Sequence, residues 1–170
     1  MTDTKGSSSA ELGIGGAVAA AGSSEHRDYV TMSIGDQMFG IPVLTVQDVL
    51  GTQSITRVPL APPEVAGSLN LRGRIVTAID VRPRLGMAKR DEGKNPMSVV
   101  VEHDGELYSL LVDSVGEVLS LDTRDYQRNP PTLNPRLREF SDGIYRLNGS
   151  LLVVLSVASL LNLGGRADAA

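Results

Sequence analysis

Pairs of short apolar runs, each pair folded about a tight-turn dipeptide, limit what this chain can become more than any other feature. Residues 97–102 and 107–112 flank His103-Asp104-Gly105-Glu106, and residues 144–147 and 151–157 flank Asn148-Gly149-Ser150. Asp-Gly and Asn-Gly supply the positive φ angles that two-residue hairpin turns require. A third hairpin is expected where residues 29–34 alternate, Gly35-Asp36-Gln37 turns, and residues 39–41 return. Short strands at regular spacing with turn residues between them predict an all-β fold of sandwich or barrel type. Val43, Val46, Val49 and Leu50 follow helical spacing over a turn or two. Residues 122–139, carrying Pro130, Pro131 and Pro135 among charged side chains, read as a long surface loop. Residues 158–163 are expected to form a short closing helix before a polar end at 164–170.

Residues 1–27 are dominated by Gly, Ala and Ser and contain no aromatic side chain. Such a segment buries too little apolar area to offset its ordering entropy, which predicts a flexible tail. It is a poor signal peptide, because Lys5 is its only early cation and Glu11 interrupts the approach to the apolar stretch. It is a poor phosphate loop, because LGIGGAV lacks a preceding strand and the full glycine spacing. No apolar run reaches the roughly 18 residues that cross a bilayer. The run LLVVLSVASLL, residues 151–161, reads instead as a core strand entering a helix.

Catalytic and metal chemistry find little to work with. The chain has no cysteine, which removes disulfides, thiolate metal sites and thiol nucleophiles and suits a reducing cytoplasm. Its two histidines fall in the tail (His26) and at a hairpin tip (His103), so neither a hydrolytic triad nor a metal cluster is expected. Asp80 and Asp113 each end a strand-like run, where two carboxylates suit acid/base work. Acceptance of backbone or arginine hydrogen bonds at strand ends is the reading favoured for both. The sequence therefore predicts no enzyme, no cofactor and no metal. Nucleic-acid binding, a common use of small barrels, is the competing class. The formal charge of −4 and an aromatic content of 4% count against it.

Charge is unevenly placed. Residues 72–94 hold seven basic groups against three acidic ones, +4 in a chain of −4. Within this stretch, Arg72-Gly73-Arg74 stands at the entrance of the apolar run Ile75, Val76, Ala78, Ile79 and Val81. A glycine there lets the backbone bend sharply, and a planar guanidinium beside the bend suits recognition of a partner's carboxylate.

The stretch GSLNLRGRIVTAIDVRPRLG, residues 67–86, resembles the signature of the CheW-like chemotaxis coupling proteins. FGIPVLTVQDVL (39–50), SLLVDSVGEVLSL (109–121) and the closing LLVVLSVASLL are similar to further segments of that family, in the same order. The likeness covers residues 28–163. Thr77 stands where the family commonly has proline, and Ser109 and Ser114 where it often has glycine. The resemblance implies two intertwined five-stranded SH3-like barrels with short helices. It further implies a non-enzymatic cytoplasmic adaptor, recruited to membrane-associated receptor arrays without membrane insertion. That adaptor joins the tip of methyl-accepting chemotaxis receptors to the regulatory domain of the histidine kinase CheA. A coupling protein of a non-swimming receptor-kinase pathway is equally compatible. Carried over by position, Val46, Asp48, Arg72 and Val118 would line the receptor-facing surface, with Gly67 and Gly73 shaping the loop beside it.

Overall fold

The computed structural model describes residues 25–162 except 89, 91 and 92. The flexible tail expected for residues 1–27 lies outside them apart from its last three residues, as does the polar end. In chain order the strands are β1 (His26–Ile34), β2 (Gln37–Pro42), β3 (Val46–Leu50), β4 (Val65–Leu71) and β5 (Arg74–Asp80). They continue as β6 (Met97–His103), β7 (Glu106–Val112), β8 (Ser114–Asp122), β9 (Tyr126–Gln127), β10 (Ser141–Leu147) and β11 (Ser150–Leu155). Three short helices accompany them: α1 (Val81–Arg84), α2 (Pro135–Glu139) and α3 (Val157–Leu160).

Two sheets result. The middle of the chain builds a five-stranded sheet in the order β3-β6-β7-β5-β4, and the two ends build a six-stranded one, β9-β10-β11-β2-β1-β8. The sixth strand is the two-residue β9. Both sheets curl so that their end strands meet. In the five-stranded sheet, Thr56 and Ser68 exchange backbone hydrogen bonds of 2.7 and 2.8 Å, bringing the segment after β3 onto β4. In the six-stranded sheet, the end strands β8 and β9 are joined by the three-residue turn Thr123–Asp125, which Asp122 caps through the Arg124 amide at 2.9 Å. Tying the ends in this way shortens the exposed sheet edges.

The near-continuous apolar runs now have a cause. Strands in the middle of each sheet are covered on both faces, so their side chains need not alternate apolar with polar. Leu110 and Val112 enter a core shared by both sheets, whereas Leu111 between them enters a smaller cluster with Leu69, Val76 and Ala78. The six-stranded sheet does likewise, with Val30 in the shared core and Tyr29 in a second cluster with Tyr145, Leu152 and Val154.

Four expectations need correction. His26 and Arg27, expected in the tail, belong to β1, paired with Asp122 and Leu121. The helical spacing at residues 43–50 yields a single 3-10 turn, Val43–Thr45, followed by a strand, because β3 gains a pairing partner in β6. Residues 122–139 are not a surface loop throughout. Leu133 and Leu137 are buried in the shared core, and Asn134 caps α2 through the Arg136 amide at 2.8 Å with Pro135 at the first helical position. The closing helix spans one turn, Val157–Leu160, started by Ser156.

Candidate functional site

The β4–β5 hairpin turns on Arg72 and Gly73, both with positive φ, +52° and +85°. Two positive φ angles in a two-residue loop are the mark of a type I′ turn, which follows the right-handed twist of the strands. Asn and Gly fit there without strain; a long side chain at the first position does not. The Asn70 carboxamide accepts the Gly73 amide at 3.0 Å and steadies the turn. An addition at Gly73 would meet no atom within 4 Å, so the bend projects into open space. Arg72 therefore stands at the tip with its side chain 76% exposed.

Its partner is Asp48, whose Oδ2 accepts from Arg72 Nη2 at 3.0 Å. A bulge in β3 makes this contact possible. Val46 pairs with Val101 and Asp48 with Val100, so Gln47 is the extra residue. Without the bulge, Val46 and Asp48 would share one sheet face; with it they take opposite faces. Val46 packs half-buried on the shared core, and Asp48 is turned toward the hairpin tip. The other Asp48 oxygen accepts the Val49 amide at 2.9 Å.

Gly67 does different work from Gly73. It is buried where the five-stranded sheet closes, at φ +150°, and a Cβ would overlap the Thr56 carbonyl and the Ile55 side chain. It permits the closure that carries the hairpin. Val118 lies on the other sheet, opposite Val30 of the shared core, and is 53% exposed. Arg72 and Asp48 are thus brought into contact. Val46 stands at the margin of the shared core, Val118 is exposed on the other sheet, and Gly67 and Gly73 act through the backbone.

Asp80 and Asp113 prove to be structural acceptors. Asp80 caps α1 through the Arg82 amide at 3.2 Å. Asp113, the single residue between β7 and β8, receives Arg82 Nε and Nη2 at 3.0 and 2.6 Å, Arg90 Nε at 3.1 Å and the Gly35 amide at 2.7 Å. The Arg82 hydrogen bond, opposed by desolvation and helped by Gly35 and Arg90, holds its carboxyl at about 2. A carboxylate so firmly ionised is no general acid at neutral pH. Among the described residues, no three His, Asp or Glu groups are placed to hold a metal ion, and no helix is long and apolar enough to cross a membrane.

Sequence reasoning passed over Arg84, which is 1% exposed. Its guanidinium donates to the Leu160 and Ser159 carbonyls at 3.0 and 2.7 Å, lies over the Phe140 ring at 4.7 Å and faces Glu64 at 3.8 Å. The available signal was a second arginine, two residues after Arg82, at the strand-to-helix junction VRPRLG.

The family model described as the CheW-like domain matches residues 28–164. The chain belongs to the CheW-like domain family. Among similar proteins, the chemotaxis protein CheW of Rhizobium meliloti (strain 1021) is 28% identical over 134 residues, 79% of this chain and 86% of that one. The chemotaxis protein CheW of Klebsiella aerogenes is 27% identical over 142 residues, covering 84% and 86%. The crystal structure of the scaffolding protein TtCheW from Thermoanaerobacter tengcongensis superposes with a TM-score of 0.74 at 29% identity, covering 83% of this chain and 96% of that one. The two-sheet architecture is the CheW-like fold, and the Asn-Leu-Arg-Gly turn of the family resemblance is the hairpin tip just described.

Proposed function

We propose that this protein is a non-enzymatic adaptor in chemotaxis signal transduction. In this reading it joins the cytoplasmic tip of a methyl-accepting chemoreceptor to the regulatory domain of the histidine kinase CheA, in the cytoplasm at membrane-associated receptor arrays. Membership of the CheW-like family and the chemotaxis proteins among its relatives support the pathway. The observation that carries the site is Arg72. A long cationic side chain occupies a turn position that disfavours it, and it stays largely exposed instead of folding onto the core. Val46, Asp48 and Val118 extend this receptor-facing surface, and Gly67 and Gly73 set its backbone. Val46 offers apolar contact at the margin of the shared core and Val118 an exposed apolar side chain on the other sheet, and the Arg72 fork offers a bidentate partner for a receptor carboxylate. Kinase binding is assigned to a separate face, since one adaptor must hold both partners at once.

Reconstitution tests this directly. Purified protein should bind a receptor cytoplasmic fragment and CheA together, and saturation with receptor fragment should leave kinase binding intact. Mutual exclusion of the two partners, or ATP turnover by the protein alone, defeats the reading.

A further inference from the structure

Residues 57–66 wrap one side of an open groove of about 730 Å³, whose far side is formed by Asp80, Pro83 and Arg90. None of the receptor-facing residues lines it. Val58-Pro59-Leu60-Ala61 forms a tight turn, with the Ala61 amide donating to the Val58 carbonyl at 3.4 Å. Proline at the second position and a positive φ at the third, +63° at Leu60, mark a type II turn. Glycine or asparagine is favoured at that third position. Here it is a leucine, fully exposed at 104% relative accessibility. A second turn follows, closed by the Val65 amide on the Pro62 carbonyl at 2.9 Å. A branched apolar side chain is therefore held in a strained conformation, away from any core, on a loop stiffened by three prolines. Folding gains nothing from this arrangement, whereas binding gains from an anchor whose entropy is already spent.

Charge identifies the occupant. Pro59, Pro62 and Pro63 donate no backbone hydrogen bond, so this wall offers apolar surface and carbonyls. Arg57 at the rim makes no ion pair among the described residues. On the opposite wall Arg90 Nη2 has no hydrogen-bond partner and meets Asp80 only at 3.6 Å, while Asp80 itself is held by the Arg82 amide. The groove thus abuts the one basic stretch of an acidic chain and keeps a free guanidinium at its mouth. A nucleic acid or anionic membrane needs several unpaired cations side by side; one arginine beside apolar walls suits a single carboxylate next to an apolar side chain. We infer that this groove docks an extended segment of a partner protein in which a leucine-sized side chain adjoins an acidic residue. The Arg57 guanidinium takes the carboxylate and Leu60 packs on the apolar side chain. This surface is additional to the receptor-facing one and does not depend on it.

The probe is the peptide acetyl-Asp-Leu-Glu-Leu-Asp-amide, titrated into isotope-labelled full-length protein and followed by amide chemical shifts. Saturable shifts are expected in residues 57–66 and 80–83. The neutral peptide acetyl-Asn-Leu-Gln-Leu-Asn-amide, and the variant R57E with the acidic peptide, should each bind about tenfold more weakly, the size of one half-desolvated charge pair. Leu60→Gly, which relieves the turn, should weaken binding without lowering the melting temperature, and R72E should bind the peptide like the parent. No saturable shift, shifts centred on the Arg72 turn, equal binding of both peptides, undiminished binding by R57E or L60G, or saturable binding to phosphatidylglycerol vesicles abolished by R57E would each overturn the inference.

Discussion

Arg72 can serve a partner or merely latch the hairpin to β3 through Asp48, and two substitutions separate these roles. The latch is small. Its arginine side chain is 76% exposed and its aspartate 26%, and an ion pair so placed contributes about 0–1 kcal/mol. Reversing the charge with Arg72→Glu removes that and sets two carboxylates together, roughly 1 kcal/mol more in a water-like dielectric. The expected destabilisation is about 1–2 kcal/mol, or roughly 3–8 °C in melting temperature for a domain of this size. Receptor binding should fall much further, by about 2–5 kcal/mol, because a desolvated receptor carboxylate would lose its partner. Asp48→Asn is the informative companion. It removes only the latch, at about 0–1 kcal/mol, and leaves the Arg72 guanidinium free, so receptor affinity should fall less than in Arg72→Glu, by no more than the share that Asp48 itself contributes to the receptor-facing surface. Differential scanning fluorimetry with titrations of receptor fragment and kinase on the same preparations gives all the numbers. If Asp48→Asn loses receptor binding as Arg72→Glu does, or if Arg72→Glu leaves receptor affinity unchanged, Arg72 is a latch and the assignment fails.

Gly67→Ala should cost about 2–4 kcal/mol in urea unfolding, since its Cβ overlaps the Thr56 carbonyl where the five-stranded sheet closes; a parent-like midpoint would show that the seam can relax. Asp113 predicts a pH window. Its folded carboxyl lies at about 2 against an ordinary 3.8, so its contribution is fully present above 3.8 and lost as pH falls toward 2. Asp113→Asn should lower stability at neutral pH and flatten the acid limb of the stability profile in that window. Arg84→Met should cost about 3 kcal/mol by stranding the Ser159 and Leu160 carbonyls, measured by the same unfolding curves. Ser109→Ala should leave the melting temperature unchanged or higher, because the Ser109 hydroxyl is buried with no hydrogen-bond partner.

Much of the fold was legible because it rests on local chemistry. The Asp104-Gly105 turn needs two positive φ angles, +53° and +82°, and its dipeptide says so. The apolar runs at 76–79, 99–101 and 110–112 announce strands covered on both faces, whereas Ile75 at the entrance of the first stays exposed. What stayed hidden depends on contacts distant in sequence. Whether residues 43–50 become helix or strand is settled by β6, fifty residues away, and the bulge that turns Asp48 toward Arg72 exists only once that pairing forms. The start of β1 was missed for the same reason: polar His26 and Arg27 extend it only because β8 runs alongside. In the 122–139 segment a local signal was present and outweighed. Asn134-Pro135 is a good helix start, with Leu133 just before the cap and Leu137 inside the helix both reaching the core, but the prolines before them dominate the reading. At the site, the Arg72-Gly73 bend could be anticipated. The positive φ of Arg72 itself, which is the stronger pointer, could not.

The buried polar groups explain how two curled sheets behave as one body. The chain passes from the six-stranded sheet to the five-stranded one at Val43–Thr45 and returns through Asp113 alone. At that return, Asp113 gathers Arg82 from the end of the five-stranded sheet and the Gly35 amide from the β1–β2 turn of the six-stranded one. Elsewhere on the boundary, Arg84 of α1 reaches the carbonyls of α3, which follows the six-stranded sheet, with Phe140 beneath its guanidinium. Apolar contact alone would let two such sheets slide, because it is nearly indifferent to direction. Hydrogen-bonded charges are not, and leaving either arginine short of its acceptors exacts a desolvation penalty. The shared core supplies attraction and the two arginine nodes supply register. An adaptor that presents separate faces to two partners needs those faces at a fixed separation, and the two arginine nodes hold the two sheets at one.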